Sequence, residues 1–179
     1  MHSARAHEFL GVVLAGGRSS RMGTNKAFLQ YRGTPLIDHM MSLLQEAGAK
    51  EVWVSGSLAG YPCIPDEETF EGPAIAMRHV LQRLESTDVS GVLFVPVDMP
   101  ALTPHLLRGL GGRPDGAYYK GWPLPAFLPF KNIPPGDRSV RSIKGLLQAL
   151  RIPAWEVPER HRACFVNANT PEQWREAAG

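Results

Sequence analysis

The chain has 179 residues, of which 44% are hydrophobic and 20% are charged, and its 19 basic and 17 acidic side chains leave a formal net charge of +2. This composition is typical of globular domains and argues against disordered, collagen-like and coiled-coil proteins. The charges are spread along the chain, and no apolar run approaches the ~20 residues that a membrane-spanning helix requires. We therefore expect no nucleic-acid partner and no membrane partner.

The length predicts a single domain that covers residues 1–179. The polar residues 1–8 are expected to form a loose tail. Residues 109–136 are dense in glycine, proline and aromatic residues, which predicts irregular connections around one or two strands beside the site. Cys63 and Cys164 are far apart and have no C-x-x-C partner, which favours reduced thiols and a cytoplasmic location.

Short apolar runs alternate with amphipathic segments along the chain, as in folds where helices connect parallel strands. The third strong run contains Pro96, so that strand is expected to end or bulge there. Strands are predicted at residues 9–14, 51–55 and 91–97, with weaker candidates at 116–119, 126–130 and 163–166. The pattern predicts an α/β fold with a mostly parallel sheet covered by helices.

Helix starts are marked by capping residues in front of the first turn. Thr34, Thr103 and Thr170 each place a hydroxyl before a proline, which suits the first helical position. Apolar spacing predicts a further helix at residues 73–84, and Ser139 is expected to cap another one before the helix at Thr170.

A glycine-rich segment with two cations follows the first predicted strand directly. It reads Leu14-Ala15-Gly16-Gly17-Arg18-Ser19-Ser20-Arg21-Met22-Gly23-Thr24-Asn25-Lys26. Glycines let backbone N–H groups approach phosphate oxygens, and Arg21 and Lys26 can neutralise a chain of phosphates. The spacing matches neither common phosphate-loop pattern, and a solvent-exposed turn is the alternative. The two cations favour phosphate binding.

A single carboxylate, Asp98, follows the third predicted strand. The carboxyl ends of parallel strands share one crevice, so Asp98 is expected to face the glycine-rich segment. Nucleotide phosphates require a hard cation, commonly Mg²⁺ held by one or two carboxylates. An aspartate that only forms a turn before Pro100 is the alternative, but the upstream segment favours a metal ligand.

Four patches of the sequence resemble the molybdenum cofactor guanylyltransferases, a family of nucleotidyltransferases. They are residues 14–26, Gly72-Pro73, Asp98-Met99-Pro100 and Asn167-Ala168-Asn169-Thr170-Pro171-Glu172. The resemblance implies a Rossmann-like three-layer fold and a transfer of GMP from GTP to the terminal phosphate of molybdenum-loaded molybdopterin, with release of pyrophosphate. It also implies Mg²⁺ as cofactor and transient contacts with molybdoenzymes or their chaperones.

Site residues follow from this resemblance together with the chemistry of the side chains. Arg21, Lys26 and Asp98 are the expected catalytic residues, and Asp98 is also the metal ligand. The nucleotide is expected to contact Leu14, Ala15, Gly16, Gly17, Gly23, Lys26, Ser55, Asp66, Gly72 and Asp98. The acceptor is expected to contact Asn167 and Asn169, and Arg138, near the start of the last predicted helix but one, is a candidate for its phosphate.

Two other hypotheses remain at this stage. The same chemistry could use another nucleotide or acceptor, such as CTP with molybdopterin, or a sugar or polyol phosphate. The chain could also be a non-catalytic nucleotide-binding protein, although an intact set of Gly16, Gly17, Lys26 and Asp98 argues against a degenerate site.

Overall fold

The structure, a computed structural model, describes residues 8–15, 26–65, 72–85, 88–132 and 139–167. Within these ranges the strands are β1 (Leu10–Leu14), β2 (Gln30–Tyr31), β3 (Thr34–Pro35), β4 (Val52–Ser55), β5 (Cys63–Ile64), β6 (Gly91–Pro96), β7 (Ala117–Tyr119), β8 (Trp122–Pro129) and β9 (Ala154–Trp155). The α-helices are α1 (Leu36–Glu46), α2 (Pro73–Leu84), α3 (Pro104–Leu110) and α4 (Ile143–Ala149). Short 3-10 helices cover Lys26–Phe28, Phe130–Asn132 and Glu159–Phe165.

Seven of these strands form one sheet in the order β5-β4-β1-β6-β8-β7-β9. Neighbouring strands are parallel except at β8, which runs antiparallel to both β6 and β7. Strands β2 and β3 form a separate hairpin. The predicted α/β fold with a mostly parallel sheet is therefore confirmed.

Helices cover both faces of the sheet and give the fold three layers. Val13 faces a core shared with α1 and α3, whereas its neighbour Val12 faces a second core shared with α2 and α4. Both side chains are completely buried, because successive residues of a strand point to opposite faces and both faces are covered. This double burial explains why β1 and β6 are continuous apolar runs in the sequence.

Identical Thr-Pro pairs have different roles in the two halves of the chain. The hydroxyl of Thr103 accepts a hydrogen bond from the backbone N–H of Leu106 at 3.3 Å and caps α3, as predicted. The prediction that Thr34 caps a helix is wrong, because α1 begins at Leu36 without a side-chain cap. Thr34 pairs with Tyr31 in the β2–β3 hairpin instead.

The second half of the chain departs further from the predicted elements. Helix α4 is capped by Ser142, which accepts a hydrogen bond from the N–H of Gly145 at 3.1 Å, so the prediction of Ser139 is wrong by one turn. The strand predicted at 163–166 is wrong, because a 3-10 helix covers most of it. The helix predicted after Thr170 lies outside the described residues.

The described part of the range 109–136, which ends at residue 132, contains two strands, β7 and β8, and the longer one lies inside the sheet. Strand β8 is buried from Leu124 to its end, because its side chains pack into the two cores on opposite faces of the sheet. Both cysteines are free thiols. None of the α-helices in the described ranges has the length and apolar character needed to cross a bilayer.

Candidate active site

Three parallel strands end side by side at one edge of the sheet. Leu14 of β1 pairs in register with Ser55 of β4 and with Pro96 of β6. The backbone N–H of Val97 then donates to the carbonyl of Leu14 at 3.3 Å, which fixes the chain leaving β6 against the end of β1. Asp98 is the next residue, so the fold places its carboxylate at the carboxyl edge, where ligands bind in such sheets.

Lys26 and Asp98 lie on the same side of the molecule and close to each other. Lys26 begins the 3-10 helix that leads into the β2–β3 hairpin, and its Nζ lies 4.0 Å from Oδ2 of Asp98. The two side chains remain 30% and 25% exposed. A pair at this distance and exposure contributes little to stability. Both charges are accessible to a ligand at the edge of the sheet.

The segment that follows Asp98 is held by a histidine of α1. The carbonyl of Pro100 can only accept a hydrogen bond, so Nε2 of His39 is the donor at 2.8 Å. The His39 ring also packs against the Tyr31 ring at a centroid distance of 4.6 Å. His39 therefore connects the hairpin that follows Lys26 with the turn that follows Asp98.

Sequence reasoning assigned His39 no role, because it lacks metal-ligand spacing and sits at an ordinary helix position. The only sequence signal is its place in α1, which the topology puts beneath the carboxyl edge of β1. A contact over 61 residues of sequence separation leaves no periodic pattern that could be detected in the chain.

The predicted nucleotide contacts on the described strands lie at the same edge. Leu14 and Ala15 are half-buried and pack on the two cores, and Ser55 is 3% exposed. The edge thus places the end of β1 beside a buried hydroxyl.

Gly72 precedes α2 in a conformation that favours glycine. Its φ is +106°, and an added Cβ would lie 3.2 Å from the carbonyl oxygen of Arg141. Helix α2 therefore begins at Pro73 with a close backbone approach from the segment before α4. The start of a helix this long carries unpaired N–H groups and favours anions.

Asn167 is exposed and follows the 3-10 helix Glu159–Phe165. The Phe165 ring packs on Trp122 and Tyr119 at centroid distances of 4.7 and 5.4 Å. This packing brings the chain near the end of β7 and the start of β8. The remaining predicted site residues lie outside the described residues: Gly16, Gly17, Arg21, Gly23, Asp66, Arg138 and Asn169.

Asp98, beside Lys26 at the carboxyl edge of the sheet, suits a divalent cation whose other ligands come from a bound substrate. In the described part of the chain, no group of three His, Cys, Asp or Glu side chains could hold a metal ion by itself. Mg²⁺ is commonly bound through one or two carboxylates plus substrate phosphates and waters. A single partly exposed carboxylate beside a lysine meets that requirement, whereas it would not hold a structural ion.

Comparison with known proteins gives consistent results. Residues 11–119 match the family model of the MobA-like NTP transferase domain. The molybdenum cofactor guanylyltransferase of Xanthomonas euvesicatoria pv. vesicatoria is 38% identical over 174 residues, which cover 92% of this chain and 91% of that protein.

Two solved structures share the fold. Molybdopterin-guanine dinucleotide biosynthesis protein A from Archaeoglobus fulgidus has a TM-score of 0.66 at 19% identity, covering 95% of this chain and 97% of that chain. The manganese complex of Rv0371c from Mycobacterium tuberculosis has a TM-score of 0.63 at 21% identity, covering 96% and 98%. At these identities the two structures support the fold alone.

Proposed function

Because the chain belongs to the MobA-like NTP transferase family, we propose that it is a molybdenum cofactor guanylyltransferase. It transfers GMP from GTP to the terminal phosphate of molybdopterin and releases pyrophosphate. The observation that carries the proposal is the placement of Lys26 and Asp98, 4.0 Å apart, at the carboxyl edge of the sheet. This is the edge where folds of this type bind their ligands.

The reaction needs charge neutralisation more than it needs an activated nucleophile. An oxygen of the acceptor phosphate forms a bond to the α-phosphorus of GTP, while the bond to the bridging oxygen of the β-phosphate breaks. The acceptor oxygen is already anionic, so no side chain has to remove a proton. The enzyme must instead bring two anions together and stabilise the charge that moves onto pyrophosphate.

Lys26 and Asp98 divide that work. We propose that the ammonium group of Lys26 binds a phosphate oxygen of GTP, as a point charge on a flexible stem can. Asp98 would hold Mg²⁺, which supplies positive charge to the leaving pyrophosphate when it is bound. His39 keeps the Asp98 turn in place through its hydrogen bond to Pro100.

Further residues take supporting roles in the proposal. Main-chain groups at Leu14 and Ala15, the Ser55 hydroxyl and the start of α2 at Gly72 would contact the nucleotide. Arg21, Gly16, Gly17, Gly23 and Asp66 would complete that subsite, and Arg138, Asn167 and Asn169 would contact the acceptor. A cytoplasmic location and transient contacts with molybdoenzymes or their chaperones stay predictions.

The decisive experiment measures pyrophosphate release with GTP, CTP and ATP, each with molybdopterin, with a sugar phosphate and without any acceptor. We expect release only with GTP, molybdopterin and Mg²⁺ together. Release with CTP or with a sugar phosphate would assign the same chemistry to other substrates. Binding of GTP without any product would identify a non-catalytic nucleotide-binding protein.

A pair of variants tests the metal assignment. Asp98→Asn keeps the size of the side chain but removes the charge, and we expect kcat to fall by about a hundredfold or more. Asp115→Asn is the matched control, because Asp115 pairs with Lys131 on the exposed surface at 3.0 Å. Equal rates in the two variants would reject Asp98 as the metal ligand.

A further inference from the structure

A cavity of about 370 Å³ lies between α3 and the segment that follows β9, away from the Lys26–Asp98 pair. Its volume falls within the range of small-molecule sites. Strand β9 is three strands away from β6 in the sheet, which corresponds to about 14 Å at the usual strand spacing. We call it the Trp155 cavity; the lining residues that matter here are His105, Arg108, Arg113, Tyr119, Trp155 and His161.

Arg113 is held in a fixed orientation inside this cavity. Its Nε donates to the carbonyl of Gly109 at 2.6 Å, and its guanidinium carbon lies 3.8 Å from the centre of the Trp155 ring. In the described part of the chain, its two Nη atoms make no hydrogen bond. A guanidinium that is already oriented loses little entropy when it binds a carboxylate or a phosphate.

The charges around the cavity favour an anion. Glu156, the acidic residue of the lining, pairs with Lys120 at 2.7 Å and is thereby neutralised. Arg108 adds a second positive charge and is anchored on the carbonyl of Glu46 at 2.6 Å. Arg160 donates to Nε2 of His161 at 3.2 Å. The described lining therefore carries a surplus of positive charge.

Aromatic rings surround the same space. The Trp155 side chain is 43% exposed although it packs against Arg113. The rings of His105 and His161 lie 6.0 Å apart. Tyr119 donates its hydroxyl to the carbonyl of Leu106 at 2.8 Å; burial raises the pKa of this hydroxyl, and the nearby charge of Arg113 acts in the opposite direction. Such walls bind flat rings by stacking.

We propose that the Trp155 cavity binds a small planar ring that carries a carboxylate or phosphate group. The oxyanion contacts the Nη atoms of Arg113, and the ring stacks within the aromatic lining. The ligand is a small molecule and not an acidic segment of a protein, because the volume of the cavity is that of a small-molecule site and Glu156, the carboxylate of its described lining, is already paired. The inference does not depend on the transfer reaction at Asp98.

Calorimetric titration of the full chain, without GTP and Mg²⁺, tests the proposal. The probes are benzoate, phenyl phosphate and inorganic phosphate; the two ring probes share one ring, so the tighter of them identifies the preferred oxyanion. We expect at least one ring probe to bind more tightly than inorganic phosphate. Arg113→Gln should weaken that binding about tenfold, since it removes a charge-assisted hydrogen bond. The exposed Arg83 of α2 provides the control variant Arg83→Gln, which should bind as the unchanged chain does.

A second variant separates the ring from the charge. Trp155→Ala removes a half-exposed side chain, so the fold should be retained. We expect it to weaken the ring probe about fivefold and to weaken inorganic phosphate less, because the bond from Nε of Arg113 to Gly109 remains. Equal binding of the ring probe to the unchanged chain, Arg113→Gln and Trp155→Ala overturns the proposal. So does the absence of binding at millimolar concentration, or tighter binding of a hexaglutamate peptide than of either ring probe.

Discussion

Strands β4, β1 and β6 end in register, with Leu14 opposite both Ser55 and Pro96. Strands β8, β7 and β9 are joined differently, since β8 is antiparallel to its neighbours and the β7–β8 register shifts between Tyr118 and Tyr119. In the first half, which contains β4, β1 and β6, the polar groups lie at the carboxyl edge of the sheet, as the strand order predicts. In the second half, which contains β8, β7 and β9, the polar groups around Trp155 are brought together by irregular packing.

The two halves meet at a closely packed junction between β6 and β8. Gly91 of β6 lies opposite Pro129 of β8, and an added Cβ would lie 2.7 Å from the Cα of Pro129 and closer still to the carbonyl oxygen of Leu128. Backbone atoms inside a sheet cannot move aside cheaply. We expect Gly91→Ala to lower the free energy of unfolding by about 3 kcal/mol, measured by urea denaturation.

Gly60→Ala is the matched control for this prediction. Gly60 has a φ of +88° and no atom within 4 Å of a built Cβ, so only backbone strain is added. That strain costs about 1 kcal/mol. If both variants lost the same free energy, close packing between β6 and β8 would not be what joins the halves.

A second prediction concerns the charge of Lys26 in the first half. Lys26→Met should lower kcat about a hundredfold, because it removes the cation that we propose neutralises a phosphate of GTP. The free energy of unfolding should change by less than about 0.5 kcal/mol, since the contact with Asp98 is partly exposed. Steady-state pyrophosphate release and urea denaturation measure the two quantities.

Lys131→Met serves as its counterpart in the other half. Lys131 pairs with Asp115 at 3.0 Å on the exposed surface, and we expect the rate of transfer to stay unchanged. A similar loss of rate in both variants would mean that overall charge, and not the position of Lys26, controls the reaction.

The contrast between the halves also explains how much of the molecule could be predicted from the sequence. Strands β1 and β6 are buried on both faces, so they appear as apolar runs, and parallel strands place the residues after their carboxyl ends at one edge. The position of Asp98 near Lys26 could therefore be expected from order along the chain. The described residues at this edge of the sheet follow these local rules.

The second half could not be predicted in this way. Strand β9 has only two residues, Ala154 and Trp155, and both are exposed, so it has no apolar signature. The apolar residues around Phe165 suggest a strand, but they pack as a 3-10 helix on Trp122. The Trp155 cavity depends on contacts between α3 and residues about 50 positions away, which a single sequence does not reveal.

The carboxyl edge of the sheet also depends on a contact that the sequence does not reveal, the hydrogen bond from His39 to the carbonyl of Pro100. Replacing His39 by Leu removes the hydrogen bond to Pro100, so the turn that carries Asp98 should become less well positioned. We expect kcat to fall about tenfold, which corresponds to roughly 1.4 kcal/mol. The Mg²⁺ concentration for half-maximal rate should rise as well.

The variant His39→Gln keeps an N–H donor on a side chain of similar reach, and it should restore most of the rate. A purely structural role would lower stability in both variants and leave the Mg²⁺ dependence unchanged. Equal Mg²⁺ dependence in the unchanged chain and in His39→Leu would therefore reject His39 as a positioning residue.

The smallest expected effect compares one sequence signal in the two halves. Thr103→Ala removes a cap whose hydroxyl accepts the N–H of Leu106 at 3.3 Å, and we expect a loss of about 1 kcal/mol in the free energy of unfolding. Thr34→Ala should change it by less than about 0.5 kcal/mol, because Thr34 is an exposed hairpin residue without a capping bond. The two variants alter Thr-Pro pairs that are identical in sequence but lie in different tertiary surroundings. If urea denaturation gave equal losses of unfolding free energy for Thr103→Ala and Thr34→Ala, Thr34 would stabilise the start of α1 as Thr103 stabilises α3. Its place in the hairpin would then not explain the missing cap.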